Sequence, residues 1–484
     1  MRPIEILLVV ANLLTFFVLV IPPLRAVRWT RYAAVIALLI AGMQVLVEGY
    51  RWQMIPAYAL SGLLFLLWLR QTIVPAGTAL GGGLDNRLAA GLAIGLGVLA
   101  LAVSIVLPIV LPVFRFPPPT GPYAIGTLTY HWIDTSRHED FGAEPNAPRE
   151  LMVQLWYPAK NEPSAPRAPY LQHPEELATS ARLSHLPDFI FNHFKYVATN
   201  AIPSAPVADA EPSYPVLIFM SGRGGYRQSN TFQIEELVSH RYIVAAIDQP
   251  YASSGVVFPD GRLVTMDPRM YDPAHPGHPA FFDSRHVIPY LAQDVSFTLD
   301  QLAALNQADP NGLLTGRLDL QHEGIFGVSL GGIVTGEACR LDSRLRACLD
   351  MDAAMPADVV QSGLHQPAMF ISRDAQWMQR EGWTQADVDE TQTTMRAVYD
   401  GLQGEGYLVL VPGMFHVNHS DAPYFSPIAP QIGLTGPIDG QRGFDIVKAY
   451  SLAFFDHELK GQPAELLDGL VEHYPEVVFA TSRP

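Results

Sequence analysis

Gly324-Ile325-Phe326-Gly327-Val328-Ser329-Leu330-Gly331-Gly332 runs from a short apolar stretch straight into a helical pattern, Ile333–Leu341. A strand that must turn sharply into a helix needs residues without side chains at the bend, and Gly327, Gly331 and Gly332 supply them. Ser329 is thereby thrust out at the strand's end, as a nucleophile elbow requires. The helix N-terminus behind it adds partial positive charge where an oxyanion would develop. G-x-S-x-G alone recurs by chance; a strand before it and a helix after it make Ser329 a candidate nucleophile.

The segments around this turn repeat its logic. Tyr214–Met220 is a continuous apolar run into a Gly-rich turn, and Tyr242–Ile247, Arg346–Met351, Ala368–Ile371 and Tyr407–Val411 read as further buried strands. Leu151–Trp156 alternates and stops at Tyr157-Pro158. Helical periodicity lies between, clearest at His286–Leu305, where Ile288, Leu291, Val295, Leu299 and Leu302 share a face. Strands alternating with helices predict an α/β unit with a mostly parallel sheet covered on both faces. Residues 160–213 and 250–284 are Pro-rich and weakly periodic, and read as insertions or lids.

A serine nucleophile needs a base, and the base an orienting acid, in the chain order Ser, acid, His. His416, in Pro412-Gly413-Met414-Phe415-His416, follows the strand Tyr407–Val411 and falls at the edge where Ser329 emerges. His419 is its rival, and His457 belongs to an amphipathic helix, Phe444–Leu459. For the acid, Asp350 and Asp352 end the next strand, and alternation puts both on one face. Asp352 is favoured as nearer the loop, with Asp350 open and Asp374, after the following strand, ranked third. Ser221-Gly222-Arg223-Gly224-Gly225 follows the Tyr214–Met220 strand and should form the oxyanion hole. The expected donors are the backbone N–H groups of Arg223 and Leu330.

The front of the chain is different. Of 484 residues, 49% are hydrophobic and only 16% charged, and the apolar excess sits in residues 1–115. That segment carries eight Arg, no Lys and three acids (Glu5, Glu48, Asp85), against a net charge of −21 for the rest. A helical span needs ~20 apolar residues, and Ile4–Ile21, Tyr32–Val47, Met54–Leu69 and Leu88–Val113 qualify. A cleaved signal peptide fails for the first, because three more runs follow and Pro22-Pro23-Leu24-Arg25 is a poor cleavage site. Arg25, Arg28, Arg31, Arg70 and Arg87 against Arg2, Arg51 and Arg115 place both termini outside the cytoplasm. The expected organisation is therefore 1–115 as an all-α transmembrane region of about four helices and 116–484 as the α/β domain, on the extracytoplasmic face. The acidic domain speaks against nucleic-acid binding. Four short helices with almost no intramembrane charge speak against a transporter.

Other features read as ordinary structure. His275 and His278, with Asp272 and Asp283, lack a third metal ligand of convincing spacing, so no metal is expected. Two cysteines exclude a disulfide scaffold; Cys339 and Cys348, on a helix and in a core strand, are expected to be buried free thiols rather than a pair. Asn418-His419-Ser420 matches a glycosylation sequon without further support. Gly91–Gly97 lacks a preceding strand and reads as helix packing, not a nucleotide loop.

From Gly121 to about Gly461 the chain resembles the platelet-activating-factor acetylhydrolases and the bacterial dienelactone hydrolases related to them. The matching stretches are Gly121-Pro122-Tyr123 with Gly126-Thr127, Leu155-Trp156-Tyr157-Pro158, the elbow Gly327–Gly332, Met351-Asp352-Ala353-Ala354-Met355, Gly413-Met414-Phe415-His416, and the terminal helix from Ile438-Asp439 through Ala449–Phe455. The resemblance implies an α/β-hydrolase fold, a Ser329–Asp352–His416 triad and oxyanion donors at Leu330 and Arg223. It also implies activity on short-acyl or oxidised phospholipid esters, or small lipophilic esters, without a cofactor. The family's His-Gly-x-Gly is Ser221-Gly222-Arg223-Gly224 here, and four spans are absent from its better-known soluble members. The reading is a multi-pass protein of a bacterial inner membrane that hydrolyses esters through an acyl-enzyme. An acyltransferase using the same triad, or a non-catalytic membrane sensor with this fold, are the alternatives.

Overall fold

A computed structural model of the chain describes residues 1–25, 27, 30–73, 84–144, 146–268, 286–469 and 473–482. Arg28, Asp272, His275, His278 and Asp283 lie outside them, as does much of the 250–284 insertion. The chain divides into two compact units, residues 1–114 with 425–428, and residues 115–424 with 429–484.

The first unit is built on helices Pro3–Val20, Ala33–Val47, Ile55–Ile73 and Leu84–Val110. Four stretches are long and apolar enough to cross a membrane: Pro3–Val20, Thr30–Val47, Trp52–Ile73 and Leu88–Val110. Their outward side chains are mostly apolar, with Leu39, Leu46, Leu66, Leu92 and Leu96 all more than half exposed. Several polar groups turn inward. Asn12 Nδ2 donates to the Ala57 carbonyl at 3.0 Å and Ser61 Oγ to Asn12 Oδ1 at 2.8 Å. Glu5 and Arg51, both buried, form an ion pair at 2.7 Å. Of the glycines expected to pack helices together, Gly97 does so: a Cβ there would lie 2.4 Å from the Phe16 ring, whereas at Gly91 and Gly95 it would meet nothing.

The second unit is organised by a ten-stranded sheet. Its strands, with a separate hairpin, are β1 (Ala124–His138), β2 (Pro148–Ala159), β3 (Ala201–Pro203), β4 (Tyr214–Met220), β5 (Ile243–Asp248), β6 (Gly255–Val257), β7 (Leu263–Thr265), β8 (Leu318–Val328), β9 (Leu345–Met351), β10 (Ala368–Ser372), β11 (Gly406–Leu410) and β12 (Val478–Thr481). The order across the sheet is β12-β11-β10-β9-β8-β4-β5-β2-β1-β3, with β6 and β7 forming the hairpin. From β5 to β11 every pairing is parallel. β2 joins antiparallel to β5, and β12 antiparallel to β11.

Alternation along the buried strands feeds two cores, one on each face. In β4, Val216, Ile218 and Met220 pack with Leu291, Val295, Leu299 and Leu302 of the helix Val287–Gln307, while Leu217 and Phe219 pack with Phe444, Val447 and Phe455 of the helix Gly440–Lys460. Each such side chain, fully buried, contributes roughly 1.5–3 kcal/mol, so both layers resist a slip in register. Parallel strands covered this way gather their carboxyl ends at one edge, and the connecting loops there carry β8's Ser329, β9's Asp352 and β11's His416.

The sheet holds one strand that the sequence did not announce, and one cysteine expectation is overturned. β1, fifteen residues long, carries no continuous apolar run; its partner is β2, aligned over eleven successive pairs from Ala124–Ala159 to Asp134–Arg149. Cys339 and Cys348 are not free thiols but a disulfide, with Cα atoms 6.6 Å apart. The helix Leu330–Leu341 folds back on β9, so two residues in separate elements meet inside the same core layer.

Candidate active site

The turn after β8 is set by steric exclusion. A Cβ on Gly327 would stand 2.2 Å from the Gly331 carbonyl oxygen, and one on Gly331 would stand 2.0 Å from that of Met220. Both obstacles are backbone, so neither can move aside. Between them Ser329 adopts φ 58°, ψ −122°, a region an L-residue enters only when its surroundings enforce it. Its N–H donates to the Met351 carbonyl at 2.9 Å, which fixes the serine beside the end of β9. The Gly222 loop after β4 approaches closely: a Cβ on Gly222 would lie 3.2 Å from Ser329 Cβ. Leu330 opens the helix Leu330–Leu341, so its N–H is one of the first-turn donors that no helical carbonyl can satisfy.

Asp350 and Asp352 do not share a face. β9 ends at Met351, and Asp352 lies beyond it with φ 52°, where the chain turns. Asp350 stays in the strand and packs its carboxyl against Gly332. Asp352 accepts from Ser372 Oγ at 2.8 Å and from Arg373 Nε at 3.1 and 3.3 Å, and meets His416 Nδ1 at 2.7 Å. Asp374 caps the helix Ala375–Glu381 by accepting from the Trp377 N–H.

The two carboxyls are driven apart electrostatically. Burial, and then the Asp352 charge, push Asp350 well above the usual carboxylate range, toward its neutral form. Burial would also raise Asp352, but the Arg373 charge and the hydrogen bond from His416 outweigh it and hold Asp352 far below that range. The two neighbouring carboxyls are thus pushed in opposite directions, Asp352 toward its charged form at the imidazole and Asp350 toward its neutral one.

His416 is a quarter exposed, presenting an edge to solvent while Asp352 is wholly buried. Its ring sits edge-on to Trp383 at 5.2 Å. The His416 backbone N–H donates to both carboxylate oxygens of Glu381, at 3.0 and 3.2 Å. Among the described residues no hydrogen bond joins Ser329 Oγ to His416; such bonds are often loose before substrate arrives and tighten in the complex. His419 is completely buried, and burial pushes its imidazole down to about 4, against the pull of Asp352. His457 lies on its helix with Nδ1 directed at the Gln462 carbonyl. Asn418 is buried and its side-chain oxygen accepts from the N–H groups of Phe415 and Gly436, so it shapes the His416 loop.

Both insertions reach the Gly222–Gly225 loop. A Cβ on Gly224 would touch Leu183 at 3.4 Å and Met266 at 3.6 Å. Ser180 Oγ donates to the Gly224 carbonyl at 2.5 Å, and the Ser180 N–H to Ser254 Oγ at 3.0 Å. Arg373 and Glu381 carry no sequence motif and escaped the sequence reading.

A doubly covered parallel sheet with a strained serine at the end of its central strand, and a His–carboxylate pair beside it, defines an α/β-hydrolase. Comparison with known proteins narrows the class. Residues 109–258 match the family described as platelet-activating factor acetylhydrolase, isoform II. The chain is similar to the platelet-activating factor acetylhydrolase of Cavia porcellus, 25% identical over 365 residues that cover 71% of this chain and 78% of that protein. It is also similar to a probable 1-alkyl-2-acetylglycerophosphocholine esterase of Arthroderma benhamiae, 23% identical with 76% and 94% covered. Among solved structures, a ferulic acid esterase from Streptomyces cinnamoneus superposes with a TM-score of 0.61 at 28% identity, covering 76% of this chain and 99% of the other. The chain is therefore a platelet-activating-factor-acetylhydrolase-like α/β-hydrolase, an enzyme of the ester-hydrolase class.

Proposed function

We propose that this chain is a membrane-anchored serine hydrolase that cleaves short-acyl or oxidised phospholipid esters, or small lipophilic esters, through Ser329, His416 and Asp352. The observation that carries it is the 2.7 Å contact between His416 and a buried, charged Asp352, at the edge where Ser329 is held in its strained turn. In the reaction His416 Nε2 takes the Ser329 proton as Oγ attacks the ester carbonyl carbon. The tetrahedral oxyanion is met by the N–H groups of Leu330 and Arg223. Its collapse breaks the bond to the alkoxide, which leaves with the proton from His416, and an acyl-serine remains. Water, deprotonated by the same imidazole, then attacks; the acid is released and Ser329 recovers its proton.

Throughout, Asp352 binds the Nδ1 proton, fixing the tautomer and stabilising the imidazolium. Leu183 and Met266 at Gly224 give the oxyanion loop an apolar cover, which suits a lipophilic substrate. The four apolar helices serve as anchor, and a disulfide in the hydrolase unit is at home on an oxidising, extracytoplasmic face. Hydrolysis of p-nitrophenyl acetate and butyrate by Ser329→Ala tests the assignment. Turnover should fall to background; undiminished turnover in the folded variant removes Ser329 as nucleophile.

A further inference from the structure

The His–Asp pair is not alone. Arg373, wholly buried, lies against Asp352 through Nε and against Glu381 through Nη1, and Glu381 in turn holds the backbone N–H of His416. The bridge closes on itself: Asp352, Arg373, Glu381 and His416 form a ring around the base. Local geometry enforces it. Asp374 caps the start of the seven-residue helix that Glu381 ends, and Gly382, at φ 98°, turns the chain so that Trp383 lies over both His416 and the Arg373 guanidinium, the latter 4.8 Å from the ring centroid.

The charges decide what this ring does. An arginine beside the acid of such a site would by itself cancel the carboxylate that must stabilise the imidazolium. Glu381 restores one net negative charge to the trio of Asp352, Arg373 and Glu381. Of the other titratable groups nearby, His419 is held neutral, and burial pushes Asp350 toward its protonated form. The helix Gly440–Lys460 packs against residues 416–419, yet among the described residues the one ion-pair partner of His416 is Asp352.

We infer that Glu381 and Arg373 are positioning residues that set the working basicity of His416, Glu381 by compensating the arginine and holding the histidine backbone, Arg373 by fixing Asp352. This rests on the triad reading above. Glu381→Gln keeps an acceptor for the His416 N–H and removes only the charge, making the imidazolium less favourable. The acid limb of kcat/KM should move to lower pH by about one unit, the order expected for loss of a unit charge several ångströms away. Arg373→Gln should move it the other way, and Glu381→Asp should restore the wild-type midpoint. The two opposite shifts separate this role from a merely structural one, which would lower activity and melting temperature at a fixed midpoint. Each of the first two variants decides the matter alone if the other does not fold.

Fluorophosphonate labelling of wild-type Ser329 is run alongside. Labelling at Ser329 with an unmoved acid limb in the folded variants overturns the inference and leaves the triad standing. Absence of labelling at Ser329 overturns both.

Discussion

Asp352→Asn and Asp350→Asn make one experiment, because the structure gives two adjacent carboxyls opposite duties. Asp352 makes four polar contacts within 3.3 Å, to Ser372, Arg373 twice and His416. An asparagine there keeps one acceptor and presents an amide to the imidazole or to Arg373. Where the amide faces Nδ1, the ring proton is driven to Nε2, and the base can no longer accept from Ser329. The loss should be about 10³–10⁴-fold in kcat, or ~4–5 kcal/mol of transition-state stabilisation. Removing one partner from the buried Arg373 pair costs stability as well, ~2–4 kcal/mol, with Glu381 still there to share the guanidinium. Burial favours the neutral form of Asp350 and its carboxyl does not touch His416, so an amide of the same size should leave kcat within about threefold of wild type, a difference below ~1 kcal/mol. Initial rates on p-nitrophenyl butyrate, with melting curves in detergent, read both quantities. An Asp352→Asn enzyme keeping a tenth of wild-type kcat, or an Asp350→Asn enzyme losing a hundredfold, refutes the assignment.

Two further outcomes follow from buried groups. His419 titrates at about 4 in the fold and near 6.5 in the unfolded chain, so between those values the unfolded state binds more protons. Its contribution is fully present above pH ~6.5 and is lost as pH falls toward 4, up to ~3 kcal/mol. His419→Leu should flatten the fall in melting temperature across that window relative to wild type; an identical slope contradicts the burial argument. Glu235, raised by burial to about 7, acts with the opposite sign, which is why the comparison is made between variants. For the disulfide, whose cysteines are nine residues apart, chain entropy gives ~2–3 kcal/mol. Cys339→Ser with Cys348→Ser should lower the melting temperature while leaving kcat within about twofold, a difference of ~0.4 kcal/mol. A variant as stable as wild type contradicts the bridge.

The sequence was most informative where the determinants are local. The six parallel strands announce themselves as apolar runs because both faces are buried, and Gly327 and Gly331 mark the elbow because nothing larger fits. His416 was legible from its place after a strand. What escaped depends on chain segments far apart. β1 has a mixed pattern and owes its pairing to β2 rather than to its own composition. Asp350 and Asp352 look equivalent by alternation, and only the positive φ at Asp352, beyond the strand's end, sends them apart. Arg373 and Glu381 carry no motif; they matter because a short helix turns back over the imidazole. The cysteine pair required knowing that the helix after the elbow lies along β9. The likeness to ester hydrolases spans most of the chain, yet the family match ends at residue 258, before the three proposed catalytic residues, so their assignment stands on geometry.

The most direct measurement is mass spectrometry of the full-length protein after reaction with a fluorophosphonate. One adduct is predicted, on the peptide carrying Gly327-Val328-Ser329-Leu330-Gly331, with none in Ser329→Ala and a strongly slowed reaction in His416→Ala. An adduct on any other residue, or equal labelling without the histidine, contradicts the account.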